Sequence, residues 1–197
     1  MKLFFPYICV MMIVSVVLFS LAVIGTSADG STTTHCDTAA YVIDRDPDGL
    51  NVRTAPAGAV ITCIPAGAMV TITGQSGAWL RISSVTYPSD MHETFARTNK
   101  HQMNSGWVKL DKLEGWVFAK NLGTTVRNYH PTKKAFLHAE PNVGSKKTIR
   151  FNDVEPQVTV LGCRNDWLYV EHAGRMGWLS PSRNCPNSLT TCPGEYE

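Results

Sequence analysis

The chain has 197 residues, of which 44% are hydrophobic and 17% are charged, and its formal net charge is +2. This near balance argues against a nucleic-acid-binding protein, which usually concentrates basic residues on one face. Five Trp, together with many Val, Ile and Leu, can build a core, which argues against an intrinsically disordered chain. The length suits one or two small domains and leaves no room for a large catalytic domain beside them.

The first 28 residues have the pattern of a secretory signal peptide. Lys2 precedes an almost continuous apolar run over residues 3–24, and small residues follow it up to Ala28. The run is also long enough to cross a bilayer, so an uncleaved anchor helix is the alternative. Both interpretations place the folded part outside the cytoplasm, in the periplasm or the extracellular space.

Beyond this leader the chain repeats itself. Residues 67–82 and 155–170 align without a gap, and Gly115-Trp116 is echoed by Gly177-Trp178. Such ordered self-similarity predicts two copies of one small domain. The identical positions of the first block are Val70, Thr71, Gly74, Trp79 and Leu80, which match Val158, Thr159, Gly162, Trp167 and Leu168.

Each copy has the pattern of short β-strands. Residues 70–73 and 158–161 are rich in β-branched residues and end at a glycine. Strands that begin at Trp79 and Trp167 follow short polar turns, as in a hairpin. No residues after the leader show the periodicity of an amphipathic helix of three turns. We therefore expect an all-β fold, with a small barrel of roughly 60 residues for each copy.

The segment Gly49-Leu50-Asn51-Val52-Arg53-Thr54-Ala55-Pro56 closely resembles the opening of bacterial SH3 (SH3b) domains. Residues 115–122, with Gly-Trp-Val followed by Leu122, are similar to the closing strand of that family. The resemblance covers roughly residues 41–122. The second copy, roughly residues 133–185, is a weaker match, because His138 stands where the family has Arg and Phe136 where it has Asn. The resemblance implies two SH3-like barrels in tandem.

The expected organisation is a signal peptide or anchor helix over residues 1–28, an SH3b domain over 36–127 and an SH3b-like domain over 128–197. The first domain contains an insertion of about 26 residues near 83–108, since 32 residues separate Ile82 from Gly115. A polar loop or hairpin extension of this length in a small barrel is often functional. The alternative is a tolerated surface insertion, because lengthening a loop costs little free energy.

Five residues are candidates for ligand binding. The SH3b resemblance draws attention to Asn51 and Arg53, but a structural role is favoured for each: Asn51 would bond to the backbone near its turn, and Arg53 would pair with an acid such as Asp46 or Asp48. Tyr87 and His92 lie in the insertion, and Trp107 has no counterpart in the second copy, so it is the best candidate for an exposed aromatic. We expect the four tryptophans at matched positions to lie in the barrel cores: Trp79, Trp116, Trp167 and Trp178.

The resemblance implies recognition of the cell wall or of a peptide, with an extended ligand lying across an aromatic groove and between the two barrels. The expected partner is peptidoglycan or an envelope peptide or protein. The alternative is a secreted protein–protein interaction factor of the inhibitor or immunity type. A cell-wall hydrolase comes third, because no Gly-x-Ser-x-Gly or His-Glu-x-x-His pattern occurs. We expect no enzymatic activity, cofactor, metal or nucleic acid, and membrane association only if the leader is uncleaved.

Cysteines in an exported chain usually form disulfides, and five of the six lie beyond the leader. Cys36 and Cys63 are the two in the first half, so we predict one disulfide between them. In the second half we predict a Cys163–Cys185 disulfide that leaves Cys192 free. A Cys163–Cys192 disulfide is the close alternative.

Overall fold

The computed structural model describes residues 33–88 and 107–187, with the backbone alone at Trp107 and Val108. The predicted leader, His92 and Cys192 lie outside the described residues. Among the residues that are described, no helix is long and apolar enough to cross a membrane.

The described part of the chain is all-β, which confirms the predicted fold class. Two single turns of 3₁₀ helix, Ala119–Asn121 and Pro181–Arg183, interrupt the strands. The strands are β1 (Thr34–Val42), β2 (Leu50–Arg53), β3 (Val60–Ile64), β4 (Met69–Ser76), β5 (Trp79–Pro88), β6 (Trp107–Leu110), β7 (Gly115–Phe118), β8 (Leu122–Val126), β9 (Phe136–His138), β10 (Lys147–Arg150), β11 (Gln157–Arg164), β12 (Trp167–His172), β13 (Arg175–Leu179) and β14 (Asn184–Cys185).

The strands form one open antiparallel sheet in which two halves have the same strand order. The first half runs β3-β2-β7-β5-β4-β1-β8, and the second runs β10-β9-β13-β12-β11-β8-β14. Strand β8 belongs to both, because it pairs with β1 through Gly123 and with β11 through Thr125. The equal order is what the internal repeat in the sequence predicts.

The shared strand makes the two halves continuous, and all described residues belong to one compact unit. Further contacts join the halves: the Asn184 side chain donates to the Ala39 carbonyl at 2.9 Å, and the Cys163 N–H donates to Gln75 Oε1 at 2.7 Å. The two halves are therefore in direct contact. The tandem of two separate SH3-like barrels stays a prediction.

Side chains along each strand point alternately into the core and to the surface. In β2, Leu50 and Val52 are buried, whereas Asn51 and Arg53 point to the outer face and are half-buried. This period of two is typical of a strand with one buried face. Full burial of each such aliphatic side chain contributes about 1.5–3 kcal/mol.

The first residue of the SH3b-like motif has a structural reason to be glycine. Gly49 has φ +84° in the turn before β2, a conformation that other residues rarely adopt. A Cβ at this position would lie 2.5 Å from the carbonyl oxygen of Ile64 on β3. The motif therefore begins where the turn packs closely against the backbone of β3.

The base of the predicted insertion is a hairpin. Strand β5 continues to Pro88, which is in register with Trp107 on β6. Trp79 begins β5 as Trp167 begins β12, so Trp79 and not Trp107 occupies the repeated position.

Tyr87 lies on the core face with Val85 and is 0% exposed. This burial corrects its predicted role, because a ligand cannot reach the Tyr87 ring without opening the core.

The disulfide pairing differs from the prediction. Cys36 is bonded to Cys163, with Cα atoms 5.8 Å apart and a sequence separation of 127. Cys63 has a free, half-buried thiol 3.4 Å from Asn51 Oδ1. Cys185 is also disulfide-bonded, but not to Cys163. The predicted Cys36–Cys63 and Cys163–Cys185 pairs are both wrong.

The path of β1 explains this pairing. Its first residues run beside the turn between β11 and β12, where the Asn165 N–H donates to the His35 carbonyl at 2.9 Å and the Asp37 N–H donates to the Asn165 carbonyl at 2.7 Å. Cys36 therefore faces the second half. Cys63 lies on β3, at the opposite end of the first half's strand order.

Candidate binding groove

A groove with a volume of about 240 Å³ lies where the two halves meet, and we call it the inter-half groove. The first half contributes residues from the start of β1 and the end of the β4–β5 hairpin, and the second half contributes β11, β12 and β13. The lining residues are Thr34, Gln75, Gly77, Gly162, Cys163, Arg164, Tyr169 and Trp178.

Two aromatic side chains form one wall of this groove. Tyr169 on β12 and Trp178 on β13 point to the outer face, because their strand neighbours Leu168, Val170 and Leu179 are buried. They are directly opposite in the strand register, with ring centroids 5.0 Å apart and ring planes at 49°. Both rings are half-buried. Aromatic surface that stays partly open is suited to pack against a ligand.

Arg164 adds a positive charge beside this wall. Its guanidinium carbon lies 5.6 Å from the centroid of the Trp178 ring, a cation–π contact. The side chain is exposed, and no hydrogen bond or ion pair joins it to another described residue. Arg53 in the first half lies 5.8 Å over Trp79, but its Nη1 donates to the Gly58 carbonyl at 2.8 Å. The donors of Arg164 are thus available, whereas Arg53 already has an acceptor.

The floor of the groove is held by contacts between the halves. Gln75 accepts a hydrogen bond from the Cys163 N–H, and its Nε2 donates to the Gly77 carbonyl at 2.8 Å. Gly162 leaves room for this amide, since a Cβ there would lie 2.6 Å from Gln75 Oε1. The Cys36–Cys163 disulfide joins the halves at Cys163, which itself lines the groove. These contacts fix the two edges of the groove relative to each other.

The equivalent face of the first half carries different side chains. Arg53, Trp116 and Arg81 lie in one register row across β2, β7 and β5, as His138, Trp178 and Tyr169 do across β9, β13 and β12. Arg81 takes the place of Tyr169 in this row and forms an ion pair with Glu114 at 2.8 Å. This row of the first half therefore lacks the paired rings of the second, and its nearest ring pair is Trp79 with Phe118, two residues along β5 and β7, with centroids 5.5 Å apart.

The predicted core positions of three tryptophans are wrong. Trp79, Trp116 and Trp178 lie half-buried on outer faces, and only Trp167 of the four repeated tryptophans is buried. The signal was present in the alternation Trp79-Leu80-Arg81-Ile82, where the tryptophan shares a face with an arginine. In β13, the same alternation of inward and outward side chains places Trp178 on the outer face.

Of the five predicted ligand-binding residues, His92 lies outside the described part of the chain and Tyr87 lies in the core. Asn51 and Arg53 lie on the outer face of β2, near Cys63 and Gly58, and do not line the inter-half groove. Trp107 pairs through its backbone with Pro88, and its side chain lies outside the described atoms. Arg53 contacts the Gly58 carbonyl and not an acid, so its observed contacts are structural.

Two titratable groups are perturbed near these faces. Burial lowers the pKa of His138, and the nearby charge of Lys147 lowers it further, while a hydrogen bond to the backbone of Ser145 opposes the shift. Burial raises the pKa of the Cys63 thiol, and the carboxylates of Asp48 and Asp46 add to that. Both groups are therefore uncharged at neutral pH. Within residues 33–88 and 107–187, no three His, Cys, Asp or Glu residues are placed to hold a metal ion.

Comparison with protein-family models, curated proteins and solved structures found none that matches the chain.

Proposed function

We propose that the chain is an exported, non-catalytic binding protein that holds an extended ligand of the cell envelope in the inter-half groove. The ligand class is peptidoglycan or an envelope peptide, and the two halves are SH3-like. The observation that carries the proposal is the pair of half-exposed rings, Tyr169 and Trp178, beside the uncommitted charge of Arg164 in a groove to which both halves contribute.

The size and shape of the groove support an extended ligand. Its volume of about 240 Å³ is smaller than the pockets of roughly 300–1,000 Å³ that enclose drug-sized molecules. Such a groove contacts only a short segment of a longer chain. A repetitive envelope polymer presents many copies of that segment, so the groove would have many equivalent sites to bind.

The state of the cysteines supports a binding role over a thiol-dependent hydrolase. Cys36 follows His35 in sequence, but its sulfur is bonded to Cys163 and cannot act as a nucleophile. The Cys63 thiol has a raised pKa and its described hydrogen bond is to Asn51, not to a histidine base. A nucleophilic cysteine needs the opposite arrangement, a lowered pKa and an adjacent base.

Export is supported by the covalent link between the halves, since structural disulfides persist mainly in oxidising compartments. The same compartment contains the proposed ligand.

Sedimentation with purified cell-wall sacculi tests the proposal. The chain without residues 1–28, with its disulfides intact, should sediment with sacculi, and soluble muropeptides should release it. The sacculi should lose no reducing sugar or amino termini during the incubation. A chain that stays in the supernatant at low and moderate salt contradicts wall binding, and release of soluble fragments contradicts a non-catalytic role.

A second candidate function is supported by a different surface. Strand β3 stands at one end of the described strand order, and its Val60 and Ile61 are 48% and 50% exposed. An edge strand of β-branched residues can pair with an extended segment of another protein. An inhibitor-type protein would then co-purify with one partner in a fixed ratio. Ile61→Lys should abolish that complex, whereas Trp178→Ala should leave it intact.

A further inference from the structure

We propose that the inter-half groove selects ligands that carry a carboxylate, and that Arg164 binds it. This inference rests on the proposed function for the place of the site, but it does not depend on peptidoglycan being the ligand.

The groove contains hydrogen-bond donors that no described residue accepts from. The Arg164 guanidinium and the Tyr169 hydroxyl make no hydrogen bond with another described residue, whereas both polar atoms of the Gln75 amide are already bonded. None of the lining residues is an Asp or Glu. Asp166 follows in the same turn as Arg164, but it forms no ion pair with it among the described residues.

The position of Arg164 suits a carboxylate in particular. Stacking over Trp178 restricts the guanidinium before a ligand arrives, so less side-chain freedom is lost on binding. The planar edge of a guanidinium matches the two oxygens of a carboxylate and can donate two parallel hydrogen bonds. The adjoining rings of Trp178 and Tyr169 then face the part of the ligand next to the charge, which should be apolar or present a flat C–H face.

A carboxylate can come from the end of a peptide or from an acidic side chain, and four short probes separate these sources. Acetyl-Ala-Ala carries a terminal carboxylate, and its amide is the neutral match. Acetyl-Ala-Glu-amide carries a side-chain carboxylate, and acetyl-Ala-Gln-amide is its neutral match. Each probe is titrated into the ¹⁵N-labelled chain without residues 1–28, with the indole N–H of Trp178 as the reporter.

We expect at least one carboxylate probe to bind about tenfold or more tightly than its neutral match, the effect of a charge-assisted hydrogen bond. Arg164→Gln should reduce its affinity to that of the neutral probe. Arg150→Gln, which removes the same charge from exposed β10 in the same half, is the matched control and should change affinity less than twofold.

Equal affinities for charged and neutral probes, binding of none of the four, or an unchanged affinity in Arg164→Gln would each overturn the inference. Sedimentation with sacculi distinguishes a failure of the carboxylate inference from a failure of the proposed wall-binding function. If the chain binds the wall but shows no preference for carboxylate probes, the proposed function stands and the inference fails. If it binds carboxylate probes but not the wall, the inference stands and the proposed function fails.

Discussion

Cys36 and Cys163 are joined across a sequence separation of 127, so a single covalent bond ties the start of the first half to the hairpin strand of the second. Both residues are almost fully buried, and Cys163 also lines the inter-half groove. The disulfide therefore does more than close a loop within one small domain. It fixes the two edges between which we place the ligand.

Removal of this disulfide should strongly destabilise the fold. The chain-entropy model gives about 4–5 kcal/mol for a loop longer than 100 residues, and strain or residual structure in the unfolded chain reduces this value. We expect the double variant Cys36→Ala/Cys163→Ala to lose about 2–5 kcal/mol in chemical unfolding. Cys63→Ala, at the half-buried free thiol, is the control and should cost less than about 1 kcal/mol. Non-reducing peptide mapping that links Cys36 to Cys63 would contradict the pairing.

The packing of Gly162 against Gln75 predicts a coupled pair of substitutions. Gly162→Ala should cost about 1–3 kcal/mol, because the new methyl group would enter the space of the Gln75 amide. Gln75→Ala leaves the buried N–H of Cys163 without its acceptor and should cost a similar amount. In the double variant the methyl group has room, so the two costs should not add. Additive values within about 0.3 kcal/mol would show that the two residues do not compete for this space.

Arg53 should contribute to stability and not to ligand binding. Arg53→Gln removes a hydrogen bond to the Gly58 carbonyl and a contact with Trp79, which together should cost about 1–2 kcal/mol. Arg81→Gln is the comparison, because it breaks an exposed ion pair with Glu114 and should cost less than about 1 kcal/mol. Sedimentation with sacculi should be unchanged in both variants. Loss of wall binding in Arg53→Gln alone would restore the role that the SH3b-like motif suggests.

His138 should make the fold less stable in acid. Its pKa is below the usual 6.5 in the folded chain, because the ring is only 7% exposed and lies near Lys147. The unfolded chain therefore binds a proton more readily, so stability is unaffected above about pH 6.5 and falls as the pH drops below that value. Unfolding free energies of the wild type and His138→Gln, compared between pH 7.5 and pH 5, measure this effect. The wild type should lose more stability than the variant, and a constant difference would contradict the assignment.

The all-β class and the repeated order of strands were predictable, because the β-branched runs, turns and Gly-Trp pairs stand at matched positions in the sequence. The disulfides were not predictable, because the sequence allows a pair of cysteines within each half, whereas the observed bond joins the halves. Cys36 instead faces the second half because β8 lies between β1 and β11 in the sheet. This order brings the turn after β11 beside the start of β1. Sequence spacing contains no information on such a contact between the halves.

Only part of the candidate groove could be predicted from the sequence. The sequence predicts an aromatic groove between two copies, but the candidate residues it offers are Asn51, Arg53 and three residues in or beside the insertion. The recurrence of Trp178 at a matched position predicts a core location, although the alternation along its strand places it on the outer face. Gln75 and Thr34 carried no sequence signal, because their role depends on the second half lying against them.

The most direct test of the account is the affinity of Trp178→Ala for purified sacculi, measured beside Trp116→Ala. The two tryptophans occupy equivalent register positions in the two halves, but only Trp178 lines the groove. Both variants are first shown by chemical unfolding to be folded under the assay conditions. The account predicts that Trp178→Ala binds at least about tenfold more weakly than the wild type, as expected when a central aromatic anchor is removed, while Trp116→Ala stays within about twofold. Equal binding by Trp178→Ala and the wild type would contradict the assignment of the inter-half groove as the binding site.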